Sequence, residues 1–564
     1  MSDERDPASE LSDLPFDDDE LTIESVEFTP ERSEVLDSEL KADSVMEHKA
    51  PKTIRIRSGQ VGRERTVAEP AVPSEPFTLR SRRGVALVAA ASVIVLAAVG
   101  TLINRGSVVQ PAVPTVEPVA SSEVVCPITT ATNDLTSAIT AAVAPLPTVV
   151  DGTANLANLV KTGASTDPLV IKSPGTLVSR VFRGKSGPAQ MASSLGSYAT
   201  GFGADQSIRS GMGASRGRAI APCSRSVTDA WLLGGSSLVG HLTTILLVNN
   251  DDRSAQVDLE IFGADGQISS PGATGIAVAG ASTLRVSLAA LAPNQPVTAV
   301  HVVVQSGRVG ASALEFDSSG LTPQGVSAMS ASTAGRSLVI PMIPKKVAAA
   351  RLILLAPSRD ATAHVTLLTT QGAATPVGFD SVQLTAGEVQ ILDLTKVLAG
   401  GSGGLMVKAD GDIVAGAVVT SGGKDQLREG DKEAATPALT SPGLITGLAG
   451  PHLVHELGIA APSSTATVKV DLYVGGKAAP TWTRTVTVKQ GSIVDEVVPV
   501  STPDSTSMIL VTPVSGGPVY VTRVETELGR NGPMLGLAPL LPIRATTLVP
   551  PVESVPGSAV LAGP

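Results

Sequence analysis

A pattern about 105 residues long occurs three times in this sequence, and it constrains the fold more than any other feature. In each copy, apolar runs of strand length are separated by polar turns and by a glycine at an equivalent place. These glycines are Gly280, Gly387 and Gly491. A repeat of this length has the size of one immunoglobulin-like β-sandwich.

Within each copy, apolar and polar residues alternate with a period of two, as in a β-strand. Val257, Leu259 and Ile261 alternate with polar neighbours, so one face of this strand contacts a core and the other contacts water. Residues that favour tight hairpins separate the runs. These are Asp265-Gly266, Asp410-Gly411-Asp412 and Gly475-Gly476.

We therefore predict an all-β ectodomain of tandem immunoglobulin-like β-sandwich repeats, over residues 233–340, 341–440 and 441–545. A closed β-propeller, to which each copy contributes two blades, is the alternative. Residues 125–232 form a more divergent first domain. In that domain, the Ala-rich stretch at 133–142 is interpreted as a short helix.

A single apolar segment at residues 84–104 is predicted to be a transmembrane helix. It has 20 uncharged residues from Gly84 to Ile103, enough to cross a hydrocarbon core of ~30 Å. A buried helix and a cleaved signal peptide are the alternatives, and both fit less well with the long polar sequence before the segment. One flank is basic, with Arg80, Arg82 and Arg83, whereas only Arg105 follows. The positive-inside rule then predicts a single-pass protein of the cell membrane, with its N-terminus cytoplasmic and its large C-terminal part extracellular.

The segments that flank the membrane helix and the repeats have the composition of unstructured chain. Residues 1–83 hold 20 acidic and 12 basic side chains, first acidic and then basic, and are predicted to be a disordered tail. Residues 105–124 are a Pro-rich linker that favours an extended spacer. Residues 546–564 are expected to be a loose C-terminal tail.

The only two cysteines, Cys126 and Cys223, both follow the predicted membrane helix. In an extracellular domain such a pair is expected to form a disulfide, and it would close a long loop. Two unpaired buried thiols are the alternative. A zinc site is not expected, because no histidine flanks either cysteine.

Composition argues against several classes of partner. Beyond residue 83 the chain is almost neutral and has no basic stripe, so nucleic acid is not expected to bind. Only 13 residues in the chain are Phe, Trp or Tyr, which leaves few platforms for stacking on bases or sugars. The lipid bilayer, contacted through residues 84–104, is the one partner that the sequence predicts directly.

Three short motifs resemble catalytic or phosphate-binding patterns, and none has the expected context. Ser215 lies in a G-x-S-x-G match, but neither a buried strand before it nor a helix after it is predicted. Ser421 and Lys424 fit S-x-x-K but begin a polar stretch interpreted as an exposed loop. Gly184-Lys185-Ser186 lacks the glycine that a phosphate-binding loop needs five positions earlier. We therefore predict no catalytic residue and no cofactor.

Two clusters could suggest a metal, and neither is predicted to bind one. His452 and His455, followed by Glu456, are three positions apart, and residues at that spacing on a strand face opposite sides. The run Asn249-Asn250-Asp251-Asp252 could bind Ca²⁺, but Asn and Asp are ordinary turn residues. For Trp231, a packing role in a core or between domains is favoured over a role in binding.

The order of these features resembles a family of actinobacterial single-pass envelope proteins of unknown function. The features are the basic stop before one anchor, Val125-Cys126-Pro127 after a Pro-rich spacer, the second cysteine ahead of Trp231, and the repeated β units. The resemblance covers roughly residues 84–545. It implies a cell-surface location in a high-G+C Gram-positive bacterium, and it supplies no activity and no catalytic residues.

We expect a non-enzymatic, membrane-anchored protein of the cell envelope whose β repeats act as a scaffold or binding surface. The alternative is an accessory subunit of the machinery that makes envelope polysaccharide, such as a glycosyltransferase, with the acidic tail contacting a cytoplasmic partner. Envelope proteins and polysaccharides are the expected partners outside the membrane.

Overall fold

The computed structural model describes residues 115–127, 135–162, 167–184, 187–423, 426–448, 452–500, 507–529 and 531–549. These residues are mostly β-strand, arranged in antiparallel sheets, as the alternating pattern predicts. None of the helices found in them combines the length and the apolarity that crossing a membrane requires. The predicted tail 1–83, with Arg80, Arg82 and Arg83, and the predicted transmembrane segment 84–104 lie outside the described residues, as do residues 105–114.

The first sandwich, sandwich I, encloses an apolar core between two facing sheets. Its chain segment contains β1 (Thr115–Pro118), β2 (Ser121–Cys126), β3 (Thr136–Val143), β4 (Gly152–Asn158), β5 (Leu169–Ile171), β6 (Leu177–Arg183), β7 (Gln190–Gly196), a 3-10 helix (Ser197–Gly201), β8 (Phe202–Ser210) and β9 (Gly217–Pro222). The sheets have the orders β2-β7-β4-β5 and β6-β3-β8-β9. Cys126 and Cys223 form the predicted disulfide in this core, with Cα atoms 4.7 Å apart.

Sandwich II repeats the same plan. Its elements are β10 (Asp229–Gly235), β11 (His241–Asn249), β12 (Ala255–Gly263), β13 (Gly266–Ile268), a 3-10 helix (Pro271–Ala273), β14 (Ile276–Val278), β15 (Ser282–Ser287), α1 (Leu288–Leu291), β16 (Thr298–Ser306), β17 (Gly310–Ser319) and β18 (Thr322–Ser330). The sheets are β10-β16-β12-β13, with β14 also on β12, and β15-β11-β17-β18. Asp265-Gly266 lies at the predicted hairpin between β12 and β13.

Sandwich III contains one strand that belongs to both of its sheets. Its elements are β19 (Gly335–Ile343), β20 (Ala349–Leu355), β21 (Ala361–Thr369), β22 (Gly372–Ala374), β23 (Val382–Leu384), β24 (Val389–Asp393), α2 (Thr395–Leu398), β25 (Gly403–Ser421) and β26 (Glu429–Ala434). The first half of β25 pairs with β19 and β21, and its second half pairs with β20 and β26.

The hairpin predicted at Asp410-Gly411-Asp412 is therefore wrong, because these residues continue β25 from one sheet into the other. Neighbouring groups hold the corner extended. The backbone N–H of Thr362 donates to Asp410 Oδ1 at 2.9 Å, and Arg359 Nη2 donates to the Asp410 carbonyl oxygen at 2.9 Å. A strand corner whose hydrogen bonds involve polar side chains can be as rich in Asp and Gly as a tight turn, so composition alone did not distinguish the two.

Sandwich IV closes the described chain. Its elements are β27 (Gly443–Ile445), β28 (Leu453–Ala461), β29 (Ala466–Val474), β30 (Trp482–Val488), β31 (Ser492–Val498), β32 (Ser507–Gly516), β33 (Tyr520–Gly529) and β34 (Gly532–Pro539), followed by β35 (Thr546–Val549). One sheet is β27-β32-β29-β30, and the strands β31-β28-β33-β34 continue the sheet of β21 in sandwich III through one parallel bridge between Thr369 and Ser492. Strand β35 pairs with β1, so part of the predicted tail pairs with part of the predicted linker.

The helix predicted at 133–142 is wrong, because Thr136–Val143 forms β3, a central strand. Ile139, Ala141 and Val143 face the core of sandwich I, while Ala142 on the opposite face packs near Leu444 of sandwich IV. The strand is buried on both faces, and small alanine side chains allow the close approach. The alanine content thus reflects packing rather than helix formation.

The last strand of each sandwich described here, β9, β18, β26 or β34, lies at the edge of its sheet, and these edges pack against one another in a closed cycle. Edge strands carry unpaired N–H and C=O groups, which must be covered to prevent association with other chains. Here the sandwiches cover one another's edges. This cycle positions the charged residues described next.

Candidate functional site

Strand β26 places acidic side chains at the centre of the cycle, where Glu429, Asp431 and Glu433 are fully buried. Glu429 Oε1 accepts a hydrogen bond of 2.7 Å from the backbone N–H of Arg218 in β9. Asp431 accepts one from the backbone N–H of Leu537 in β34. These carboxylates thus satisfy N–H groups on the edges of sandwiches I and IV, which an apolar side chain could not do.

Burial raises the pKa of all three carboxyl groups on β26 well above the usual values, despite these hydrogen bonds. The effect is plain for Glu433, which is hydrogen-bonded by the Thr522 hydroxyl and has no basic side chain within ion-pair distance in the described chain. A carboxylate without a paired cation is expensive to bury, so the proton is retained.

A buried ion-pair network joins sandwiches I and IV beside β26. Arg218 Nε of β9 donates to Glu525 Oε2 of β33 at 2.8 Å, and Arg523 Nε donates to Glu525 Oε1 at 2.9 Å. Burial alone would raise the pKa of Glu525, but the charges of Arg218 and Arg523 hold it well below the usual range. We call Arg218, Glu429, Asp431, Glu433, Arg523 and Glu525 the ionic centre.

A cleft of about 750 Å³ opens between sandwiches II and III, next to the ionic centre. Its charged lining residues are His241, Glu315, Asp317, Arg351, Arg428 and Lys432, from strands of both sandwiches and the segment before β26. A volume of this size is typical of sites that bind small ligands. We therefore treat the cleft as the candidate functional site.

Glu315 and Lys432 form the floor of the cleft as a buried ion pair. Lys432 Nζ donates to Glu315 Oε1 at 2.7 Å, and Glu315 Oε2 accepts from the backbone N–H of Ser236 at 2.8 Å and from the Thr243 hydroxyl. Burial would raise the pKa of Glu315, but the Lys432 charge and the hydrogen bonds with His241, Asp317 and Lys432 lower it. The floor is thus an internally neutralised pair.

His241 and Asp317 form a second pair closer to solvent. His241 Nδ1 lies 2.6 Å from Asp317 Oδ1, and about a third of the His241 side chain is exposed. Hydrogen bonds to Asp317 and then to Glu315 raise the pKa of His241 to about 9. His241 is therefore protonated at neutral pH, and its second N–H group, at Nε2, is a hydrogen-bond donor.

His241, Glu315 and Asp317 also have ligand atoms close enough to hold a metal ion, within 4.8 Å of one another. Their existing partners argue against that role. The Lys432 ammonium already neutralises Glu315, and His241 Nδ1 is engaged by Asp317. A divalent cation would have to displace both positive groups, so these residues fit an ion-paired cleft better than a metal site.

The mouth of the cleft combines cationic and aliphatic side chains. Arg351 and Arg428 are exposed, and neither lies within 4 Å of a carboxylate in the part of the chain that the structure describes. Leu238 and Val239, on the loop between β10 and β11, line the same opening and are 39% and 98% exposed.

The structure separates the residues of the predicted motifs from the cleft. Ser215 lies in the connection between β8 and β9, with no helix after it, so this is not a nucleophile elbow. Ser421 is the last residue of β25, whereas Lys424 lies outside the described residues, as do Lys185 and Ser186. The prediction that the polar stretch after Ser421 is an exposed loop is wrong for the end of the stretch, which forms the buried strand β26.

The two predicted metal-like clusters have other partners. His452 is exposed, whereas His455 is buried and lies 3.2 Å from Glu525, so the two rings have different surroundings. Glu456 pairs with Lys345 at 3.5 Å.

In the run Asn249–Asp252, Asp251 pairs with Arg308 at 2.9 Å, and Asp252 binds Thr162. The carboxylates therefore diverge.

Trp231 packs between sandwiches II and III, as predicted. It is buried, stacks on His301 with ring centroids 4.1 Å apart, and lies in one apolar cluster with Ile353 and Leu355 of sandwich III.

Sequence reasoning missed every charged residue of the cleft and of the ionic centre. The signal was a charge at every second position of an otherwise apolar strand, as in Glu315-Phe316-Asp317 and Arg523-Val524-Glu525. Such a pattern normally indicates a solvent-facing side. Here both faces of these strands are covered, one by a core and the other by a neighbouring sandwich.

Comparison with known proteins gives a family and no activity. Residues 178–499 match the model of a family of unknown function, DUF5719. The matched region begins in β6 and ends just after β31, so it includes parts of all the sandwiches named above. No curated protein matches the chain.

Proposed function

The chain belongs to the DUF5719 family, and from that premise we propose that it is a non-enzymatic, membrane-anchored protein of an actinobacterial cell envelope. Its β-sandwiches, immunoglobulin-like in size, act outside the membrane as a rigid scaffold with a ligand-binding cleft. Residues 84–104 form the anchor, and residues 1–83 face the cytoplasm.

The observation that supports this role most directly is the ionic centre. Side chains of sandwich III satisfy edge N–H groups of sandwiches I and IV, and Arg218 of sandwich I is paired with Glu525 of sandwich IV. Breaking such buried pairs is costly, so the sandwiches are held in fixed positions. Lys432 of sandwich III is likewise paired with Glu315 of sandwich II, so the cleft between these two sandwiches keeps its shape, as a binding surface requires.

The location is tested with intact cells that produce the full chain with an epitope at its C-terminus. We expect protease added outside the cells to remove the epitope, while a cytoplasmic control protein stays intact. If the epitope survives on intact cells and is lost only after lysis, the extracellular assignment is wrong.

The partner is tested by affinity purification from solubilised membranes. The scaffold role predicts that envelope proteins or polysaccharide co-purify with the full chain and with a variant that lacks residues 1–83. Enrichment of a polysaccharide-synthesising enzyme that disappears with residues 1–83 would instead support the accessory-subunit alternative.

A further inference from the structure

The charges that line the cleft do not balance, and the excess is positive. On the floor, Lys432 is neutralised by Glu315, and His241 is paired with Asp317. Arg351 and Arg428 remain, both exposed and without a carboxylate within 4 Å among the described residues. Two guanidinium groups without a direct ion pair at one opening attract an anion and can bind it with paired hydrogen bonds.

The nearest acidic neighbour of Arg351 along its sheet does not remove this excess. Asp393 lies opposite Arg351 in the pairing of β20 with β24, and after the hydrogen bonds from Thr395 the charge of Arg351 also helps to lower the pKa of its carboxyl group. The two side chains form no ion pair within 4 Å, so the N–H groups of Arg351 are left for the cleft.

His241 supplies a third donor, above the floor of the cleft. Because Nδ1 is engaged by Asp317, the Nε2–H group is left for a ligand. Its charged and titratable neighbours in the cleft are Asp317, Glu315 and Lys432.

The opening also favours a ligand with an aliphatic part over a neutral sugar. Leu238 and Val239 expose apolar surface at the mouth, and no Phe, Tyr or Trp occurs among the described residues that line the cleft. Neutral sugars are commonly held by stacking on aromatic rings, whereas an aliphatic chain gains from contact with leucine and valine.

We propose that the cleft between sandwiches II and III binds the phosphate group of a phosphorylated ligand, with Arg351, Arg428 and His241 as donors and Leu238 and Val239 contacting an aliphatic part. The inference rests on the proposed function only in treating the cleft as a binding surface. The phosphate can belong to a free anion or to a lipid headgroup, and these sources are distinguished by experiment.

The test uses the full chain in nanodiscs of phosphatidylcholine and isothermal titration calorimetry. The ligands are inorganic phosphate, dihexanoyl phosphatidic acid, and dihexanoyl phosphatidylcholine as the zwitterionic control. We expect phosphatidic acid to bind at least ~10-fold more tightly than phosphatidylcholine, because its phosphate has no attached choline cation to neutralise it. Arg351→Gln/Arg428→Gln should weaken phosphatidic acid binding at least ~10-fold.

The matched control is Arg336→Gln/Arg484→Gln, which changes the net charge equally at two exposed arginines outside the cleft. It should change binding less than ~2-fold, and circular dichroism should show that both double variants are folded. Val239→Ser separates the two sources. If it weakens phosphatidic acid but not inorganic phosphate, a lipid-like ligand is supported, whereas equal binding of both anions supports a free phosphate compound.

The pH dependence gives an independent readout. Binding should weaken as the pH rises through about 9, where His241 loses its proton, and His241→Gln should remove that step. Absence of binding by either anion, or equal loss in the control double variant, would overturn the inference. It would leave the extracellular location untouched, since intact-cell proteolysis measures that separately.

Discussion

Glu525 is the residue that carries the most charge contacts in the ionic centre. It is fully buried between Arg218 and Arg523, and His455 lies 3.2 Å away. Glu525→Ala leaves the two buried guanidinium groups with only longer ion pairs, from Arg218 to Glu527 at 3.7 Å and from Arg523 to Asp205 at 3.8 Å. We expect a loss of about 3–5 kcal/mol in the free energy of unfolding, measured by urea denaturation.

The comparison for this variant is Asp412→Ala, which breaks the ion pair between Asp412 and Arg336. Both of these side chains are more than 60% exposed, so the expected cost is only about 0–1 kcal/mol. Similar losses in the two variants would mean that the ionic centre does not hold the sandwiches together.

For Glu433 we predict that removing the carboxyl group stabilises the protein, in contrast to Glu525, because the pKa of Glu433 is raised rather than lowered. The native state keeps this proton at pH values where the unfolded chain has lost it. Its contribution to stability is therefore present below the unfolded pKa and is lost as the pH rises through the folded pKa. Glu433→Gln should be more stable than the wild type at pH 8, with a smaller difference at pH 5.

Thermal unfolding across pH 5–8 measures this effect. Glu388→Gln, at an exposed position, is the control and should follow the wild-type curve. If Glu433→Gln is less stable at pH 8 than at pH 5 relative to the wild type, Glu433 is ionised in the native protein.

At the scale of elements, the contact between β9 and its neighbours depends on one glycine. A Cβ atom at Gly217 would overlap the backbone nitrogen of Val326 in β18 and would lie 2.8 Å from Glu429 Oε1 of β26. Gly217→Ala should therefore push sandwich I away from the centre, at a cost of about 1–3 kcal/mol in urea denaturation.

Gly272→Ala serves as the control, because its added Cβ has its closest contact at 3.4 Å, to Leu291 Cδ2. Equal stability of Gly217→Ala and Gly272→Ala would contradict the packing of β9 described here.

The elements were predictable where one face of a strand meets a core and the other meets water. This holds for β12, where Val257 and Leu259 are buried and Gln256 is exposed. The alternation of apolar and polar residues does not predict β3 and β26, because both faces of these strands are covered by protein. The Ala-rich sequence of β3 and the acidic sequence of β26 therefore do not resemble a half-buried strand. The boundary expected at residue 233 also falls inside β10, because the repeat is most regular from the second strand onward.

The charged residues of the cleft could not have been assigned from sequence for a related reason. Glu315 and Lys432 belong to different repeats and meet only because β18 packs beside β26. Repeat periodicity predicts the sandwich, but it does not predict which edges of neighbouring sandwiches meet.

For the whole molecule, the closed cycle of edge strands predicts cooperative unfolding, whereas a row of independent sandwiches would unfold in steps. The chain has two tryptophans that report on different places. Trp231 lies between sandwiches II and III, and Trp482 lies on β30 of sandwich IV. Trp482→Phe and Trp231→Phe each leave one tryptophan as the fluorescent reporter.

In each of these two variants, we expect the urea midpoint from fluorescence to coincide with the midpoint from far-ultraviolet circular dichroism. The comparison is made within one variant, so any loss of stability caused by the substitution itself cancels. A Trp482 transition that clearly precedes or follows the circular-dichroism transition would show that sandwich IV unfolds separately. The ionic centre would then be too weak to couple the sandwiches, and the rigid scaffold would lose its physical basis.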